Sequence, residues 1–169
     1  ENPDIWLTDI HGIGPKKAQE LVSKGIQTID QLRDQKDKLL NDTQRIGLQY
    51  YDDIMQRIPR TEIQEYDKLF NSTFKLTSTP DKNMEYEIVG SYRRGAKTSG
   101  DIDVIITGND SIIYEHFINK LKDDGIIIET LSKGNTKSMV ITKLPGYDIA
   151  RRVDFMFTPL DEYPYAILY

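Results

Sequence analysis

The stretch "EIVGSYRRGAKTSGDIDVIIT", residues 87–107, decides the fold. An apolar run stops at Gly90-Ser91, a basic segment with glycines follows, and Asp101 and Asp103 then flank Ile102 where a second apolar run begins. On a strand, residues i and i+2 share a face, so the two aspartates project together while Ile102 turns into the core. Two carboxylates this close raise each other's pKa unless a cation lies between them. Hard oxygen donors without His or Cys favour Mg²⁺ or Mn²⁺. The plain alternative for an isolated D-x-D is a solvated strand edge.

A third acid, Asp154, lies inside "RRVDFMF". Val153 and Phe155 should face the core there, so Asp154 emerges on the opposite side. If the two strands are neighbours, three carboxylates converge and can hold two metal ions for in-line phosphoryl transfer. Gly90-Ser91, ahead of what reads as a short basic helix, offers backbone N–H groups, a hydroxyl and guanidinium donors to a phosphate. Arg93 and Arg94 cannot both face the core. Gly95 and Gly100 permit the tight return that delivers Asp101. Arg152 shares the strand face of Asp154 and is placed to orient its carboxylate.

Working outward, the chain has 169 residues and mixes two regimes. Residues 1–58 read as helical. Pro15 suits the first turn of a helix that stops at Gly25. Thr28-Ile-Asp-Gln31 resembles a capping box, and a further helix follows Asn41-Asp42, carrying Ile46, Tyr50 and Ile54 toward Ile58. Pro59 breaks the pattern, and Arg60-Thr61 restarts a helix through Ile63, Leu69 and Phe70. Beyond it the period changes. Residues 86–90, 102–107, 126–130, 138–144 and 152–157 are short β-branched and aromatic runs that predict strands. Residues 111–124 predict one amphipathic helix, and "SKGNTK" has hairpin-turn chemistry. The expectation is an α+β protein: an all-helical unit over 1–58, then a mixed sheet with flanking helices over 59–169.

Zero cysteines exclude disulfides and thiolate chemistry in this segment, and two histidines make a His-rich metal site a poor expectation. No apolar run approaches the roughly 20 residues needed to span a bilayer, so no membrane partner is expected. The net charge of -5 argues against a broad nonspecific nucleic-acid surface, although carboxylates gathered for metal ions would themselves push the total negative.

In the helical part, "HGIGPKK" brings Gly12 and Gly14 close enough for backbone amides to reach a phosphate, with Lys16 and Lys17 adding charge at a helix start. Such binding is insensitive to base sequence. An ordinary helix-turn-helix corner is the alternative from this motif alone.

"GSYRRGAKTSGDID" followed by "RRVDF" resembles the nucleotidyltransferase signature of the family X, or polymerase beta-like, DNA polymerases. "LTDIHGIGPKKAQELVSKGIQTIDQLR" is similar to that family's helix-hairpin-helix, "QRIGLQYYDDIMQRIPR" to its next helix and link, and "TLSKGNTK" to its palm hairpin. The resemblance implies a helix-hairpin-helix DNA-binding subdomain (1–58) and a nucleotidyltransferase palm (59–169). It implies that Asp101 and Asp103 bind both of two Mg²⁺ or Mn²⁺ ions, and that Asp154 binds the catalytic one beside the primer 3′-hydroxyl, with Arg152 next to it. Gly90, Ser91, Arg94, Ser99 and Gly100 would contact the triphosphate of a dNTP, assisted by Arg57, and Tyr169 its sugar. Carbonyls of Thr8, Ile10 and Ile13 would hold a Na⁺ or K⁺ that bridges to a DNA phosphate. Gly12, Gly14, Lys16 and Lys17, then Lys133, Thr136, Lys137 and Arg152, would contact DNA.

The function implied is repair-type, template-directed gap filling on gapped or primer-template DNA by an intracellular monomer, with the nucleus and a viral replication compartment both open. Because residue 1 is Glu and Tyr169 matches the first position of a Tyr-Phe-Thr-Gly-Ser motif, the chain reads as a catalytic fragment, truncated before the nucleotide-selecting subdomain and of little activity alone. A template-independent nucleotidyltransferase and a non-catalytic DNA-binding module are the competing readings.

Overall fold

Short helices follow one another through the first third of the chain in a computed structural model that describes residues 2–78 and 84–160. They are α1 (Pro3–Trp6), α2 (Pro15–Ser23), α3 (Ile29–Asp34), α4 (Lys36–Leu39), α5 (Asp42–Gln49) and α6 (Tyr51–Ile54). Pro15 is the first residue of α2, where its missing N–H costs nothing. Thr28 and Gln31 close a reciprocal capping box on α3, and Asn41 and Gln44 form a second one on α5. The helix expected to run from Asp42 toward Ile58 instead breaks at Tyr50, whose backbone (φ -102°, ψ 12°) leaves the helical region. Leu7, Ile10, Ile13, Leu21, Ile26 and Leu32 are among the residues that form the core of this unit.

The chain divides into Glu1–Asp52 and Asp53–Tyr169. The second unit continues with β1 (Ile58–Pro59), α7 (Arg60–Thr77), β2 (Glu85–Val89), β3 (Thr98–Ser99), β4 (Ile102–Gly108), α8 (Ile112–Asp123), β5 (Ile127–Lys133), β6 (Lys137–Thr142) and β7 (Arg151–Pro159). Five strands form one mixed sheet in the order β2-β4-β7-β6-β5. The central pair β4/β7 is parallel and its neighbours are antiparallel. The fold is therefore the expected α+β arrangement. Two expectations missed: the two-residue ladder that pairs Ile58 with Ser99 and Pro59 with Thr98, and the state of residues 91–95, which form successive turns rather than a short helix.

Alternation along β4 and β7 sends Ile102, Val104, Ile106, Val153 and Phe155 into one core with α7 and α8. Phe70, Phe117 and Phe155 meet edge to face, with ring centroids 5.5 to 6.1 Å apart, a geometry that aromatic quadrupoles favour. Among the described residues no helix is long and apolar enough to cross a membrane.

One ion pair is buried in this core's margin. Arg151, the first residue of β7, donates from Nε to Glu62 Oε2 at 2.6 Å and from Nη2 to Glu62 Oε1 at 3.0 Å. Its Nη1 donates to the Arg57 carbonyl at 3.2 Å. The side chains are 3% and 9% exposed. A fork-to-fork pair of this kind fixes geometry more than it adds net stability, because both charges are desolvated. Glu62→Ala, which strands the guanidinium, is expected to cost about 3–5 kcal/mol and lower the melting temperature by roughly 10 °C. Glu62→Leu combined with Arg151→Met should recover most of that loss in the same melting assay.

Candidate functional site

In the parallel ladder Asp103 stands opposite Asp154, and both side chains leave the sheet on the face away from α7 and α8. Asp101 precedes β4 by one residue and joins them. Carboxylate oxygens of Asp101, Asp103 and Asp154 lie within 4.8 Å of one another, each residue half-buried. On the far side of β4, Gly90 closes β2 at φ +70°, and a Cβ there would sit 2.9 Å from Asp103 Oδ2. Only glycine satisfies both the backbone and that approach. Arg152 reaches across its own strand face and donates from Nη2 to Asp154 Oδ1 at 2.7 Å, as its i, i+2 position predicts. Its Nε is buried without a hydrogen-bond partner.

Burial, then the negative charge of Asp154, raises the pKa of Asp101, with Arg152 opposing. Burial and the charges of Asp101 and Asp154 push Asp103 up to about 6, against the pull of Arg152 and Lys137. Such a cluster is a set of hard oxygen donors held together at an electrostatic cost, and a divalent cation suits it by chemistry and by charge.

The turn beside the acids is built by Arg94 N–H donating to the Gly90 carbonyl at 3.2 Å, Gly95 N–H to Tyr92 at 3.0 Å, and Ala96 N–H to Ser91 at 3.0 Å. Gly95 ends it at φ +88°. The Ser91 hydroxyl meets that of Ser99 at 2.6 Å, and Ser99 is buried. Arg93 pairs with Glu87 at 2.8 Å, whereas Arg94 is exposed. Arg57 donates to Thr98 through Nε and Nη2, at 3.2 and 3.1 Å. A Cβ on Gly100 would lie 3.3 Å from its Nη1. Gly90, Ser91, Arg94, Ser99, Gly100 and Arg57 are thus gathered on one stretch of the second unit. Tyr169 lies outside the described residues.

Lys133 and Lys137 flank the β5–β6 turn, and they and Thr136 are exposed. Lys137 is close enough to the acids to lower the pKa of Asp103.

In the first unit, Gly12 adopts φ +89° and its carbonyl accepts from Gln44 Nε2 at 2.9 Å. Gly14 caps α2, with nothing near the position of a Cβ. Lys16 is exposed, and Lys17 pairs with Glu20 at 3.2 Å. Thr8 is exposed, with its hydroxyl on the Ile5 carbonyl at 2.7 Å, and Ile10 and Ile13 are buried. Sequence reasoning missed Gln44 and Gly47. A Cβ on Gly47 would lie 2.5 Å from the His11 carbonyl oxygen, so α5 can back the hairpin only with glycine there. A glycine in mid-helix was the available signal. The buried Glu62 partner of Arg151 had no sequence signal at all.

The family described as DNA polymerase beta palm matches residues 57–160. The fingers domain of DNA polymerase lambda matches residues 6–55. Among individual proteins, the chain is 34% identical to DNA polymerase lambda of Arabidopsis thaliana over 95% of its own length and 32% of the relative's. It is 29% identical to DNA polymerase lambda of Rattus norvegicus over 96% of its length and 29% of the relative's. It is 26% identical to DNA nucleotidylexotransferase of Xenopus laevis over 96% of its length and 39% of the relative's. The chain therefore spans about a third of the length of the relatives it matches.

The raised pKa of Asp103 makes a stability prediction. The folded site keeps a proton that an unfolded carboxyl releases near pH 4. This group's contribution is therefore fully present below about pH 4 and lost as pH rises through about 6. At pH 7.5, Asp103→Asn should melt about 3 °C above the parent, on the order of 1 kcal/mol after solvent screening is discounted. The difference should vanish below pH 4. Millimolar Mn²⁺ should raise the melting temperature of the parent but not of Asp101→Asn/Asp103→Asn.

Proposed function

The chain belongs to the family X DNA polymerases, and from that premise we propose that it carries the DNA-binding (1–58) and catalytic (59–169) parts of a repair-type, template-directed DNA polymerase that fills short gaps as a monomer. The convergence of Asp101, Asp103 and Asp154 within 4.8 Å beside the Gly90-Ser91 turn carries this reading.

Asp101 and Asp103 would hold two Mg²⁺ or Mn²⁺ ions, and Asp154 would share one of them. When bound, such ions lower the pKa of an attacking hydroxyl and neutralise charge on a leaving diphosphate. The protein's own part is placement. Arg152 fixes one oxygen of Asp154 and so orients that carboxylate toward the primer terminus. Gly90 lets the turn come close to Asp103, bringing the triphosphate donors Ser91, Arg94 and Arg57, together with Ser99 and Gly100, next to the acids. The primer 3′-hydroxyl would release its proton to solvent as its oxygen bonds the α-phosphorus, while the bond from the α-phosphorus to the oxygen bridging to the β-phosphorus breaks and diphosphate leaves with that oxygen. Lys133, Thr136 and Lys137 serve the DNA strand beside the palm. In the first unit, Gly12, Gly14, Lys16 and Lys17 would take a DNA phosphate, and the carbonyls of Thr8, Ile10 and Ile13 would hold a Na⁺ or K⁺ that adds positive charge there. Backbone contacts of this sort position the duplex without reading it.

The likeness to a DNA nucleotidylexotransferase favours one second reading, untemplated addition by the same site.

Single-nucleotide incorporation on a one-nucleotide-gapped duplex separates the two. Each dNTP is offered against each template base with Mg²⁺ or Mn²⁺. Any incorporation should follow the template and be lost in Asp154→Ala. Addition that ignores the template base would establish the second reading instead. In a binding titration, Lys16→Ala should weaken gapped DNA of any sequence alike and shallow the slope of log K against log salt by about 0.9.

A further inference from the structure

We propose that Arg60 is a positioning residue for triphosphate binding, acting through the turn that carries Ser91 and Arg94. This inference rests on the polymerase reading above. Arg60 opens α7 directly after the Pro59 cap, and its backbone N–H donates to the Lys97 carbonyl at 2.9 Å. Its Nη1 donates to the Tyr92 carbonyl at 2.8 Å and to the Ala96 carbonyl at 3.2 Å. Its guanidinium carbon stands 4.1 Å from the centroid of the Tyr92 ring. One side chain thus grips both ends of the 92–96 segment and stacks on its aromatic residue.

The turn needs such a grip. Gly90 and Gly95 both sit at positive φ, where glycine's freedom leaves the chain many conformations to lose. Residues 93–95 are exposed, and the turn's own bonds are an irregular set that does not propagate as a ladder. An unpinned turn would have to be ordered by the ligand, at a cost in affinity. Pinned from α7, it presents Ser91 and Arg94 already in place. Nη1 alone reaches both carbonyls, and arginine suits the place because the same planar group also lies over the Tyr92 ring. A lysine ammonium is a point donor without that plane.

The test compares the parent with Arg60→Met, Arg60→Lys and Arg94→Ala. It measures Mn²⁺ affinity without nucleotide by electron paramagnetic resonance, and dATP affinity and stoichiometry in Ca²⁺ by calorimetry. Arg60→Met should bind dATP about tenfold more weakly at unchanged stoichiometry, with Mn²⁺ affinity altered less than about twofold. Arg60→Lys should recover only part of the loss. A variant that is merely less folded would lose stoichiometry instead of affinity, and that result overturns the proposal. So does Arg60→Met binding dATP as the parent does while Arg94→Ala is weakened. A parent that binds no dATP, with Arg94→Ala indistinguishable from it, would bring down the polymerase reading itself, and this inference with it.

Discussion

The rest of the second unit depends on one register: parallel pairing of β4 and β7 sets Asp103 opposite Asp154, with Asp101 one residue ahead of the ladder. Backbone hydrogen bonds and a buried hydrophobic face hold three like charges where charge alone would drive them apart. Ile102, Val104, Val153 and Phe155, all 1% exposed or less, supply that hold by alternating with the acids. At about 25 cal/mol per Å² of apolar surface, burying such side chains outweighs the repulsion of partly solvated carboxylates. The site is thus a local loss of stability carried by its own reverse face, the trade expected where activity needs concentrated charge.

Two adjacent arginines show how strand alternation assigns function. Arg151 points to the inner side, where Glu62 and the Arg57 carbonyl take its donors. Arg152 points to the outer side, onto Asp154. Through Arg151 the start of β7 is tied both to α7 and to the segment that carries Arg57, which in turn lies along Thr98. The acid side and the proposed phosphate side of the candidate site therefore share a frame: β7, α7 and the short β1/β3 ladder. A disturbance at the Glu62–Arg151 pair would reach both.

Much of this was legible because it is local. Period-2 alternation identified the faces of Asp101, Asp103, Asp154 and Arg152, and the capping box at Thr28 and the proline starts placed helices. What escaped was non-local or conformationally subtle. The partner of β4 across the sheet cannot be read from β4 itself. Residues 91–95 look helical because basic residues follow Gly-Ser, but Gly95 at φ +88° and the lack of a continuing ladder leave only turns. "RR" at 151–152 gave no sign that one arginine would be buried, because that depends on Glu62 arriving from another element. Arg60 looked like a helix start and nothing more, since its hydrogen-bond partners are main-chain carbonyls, which carry no sequence signature.

The overall charge now has a structural reading. A net charge of -5 sits awkwardly with the proposed DNA ligand, if binding is pictured as a basic surface. The first unit works differently. On the proposed reading Gly12 and Gly14 would open backbone to a phosphate, and Gly47 lets α5 press on the same hairpin. Lys17 is already paired with Glu20. Amide dipoles and Lys16 at the hairpin attract far less at long range than a basic patch would, so the proposed contact there would be short-ranged and geometric. In the second unit the three acids would repel DNA and nucleotide in the absence of cations. On the proposed reading, a chain built this way should hold DNA weakly without divalent ions and more firmly with them, and the metals would then gate binding as well as chemistry.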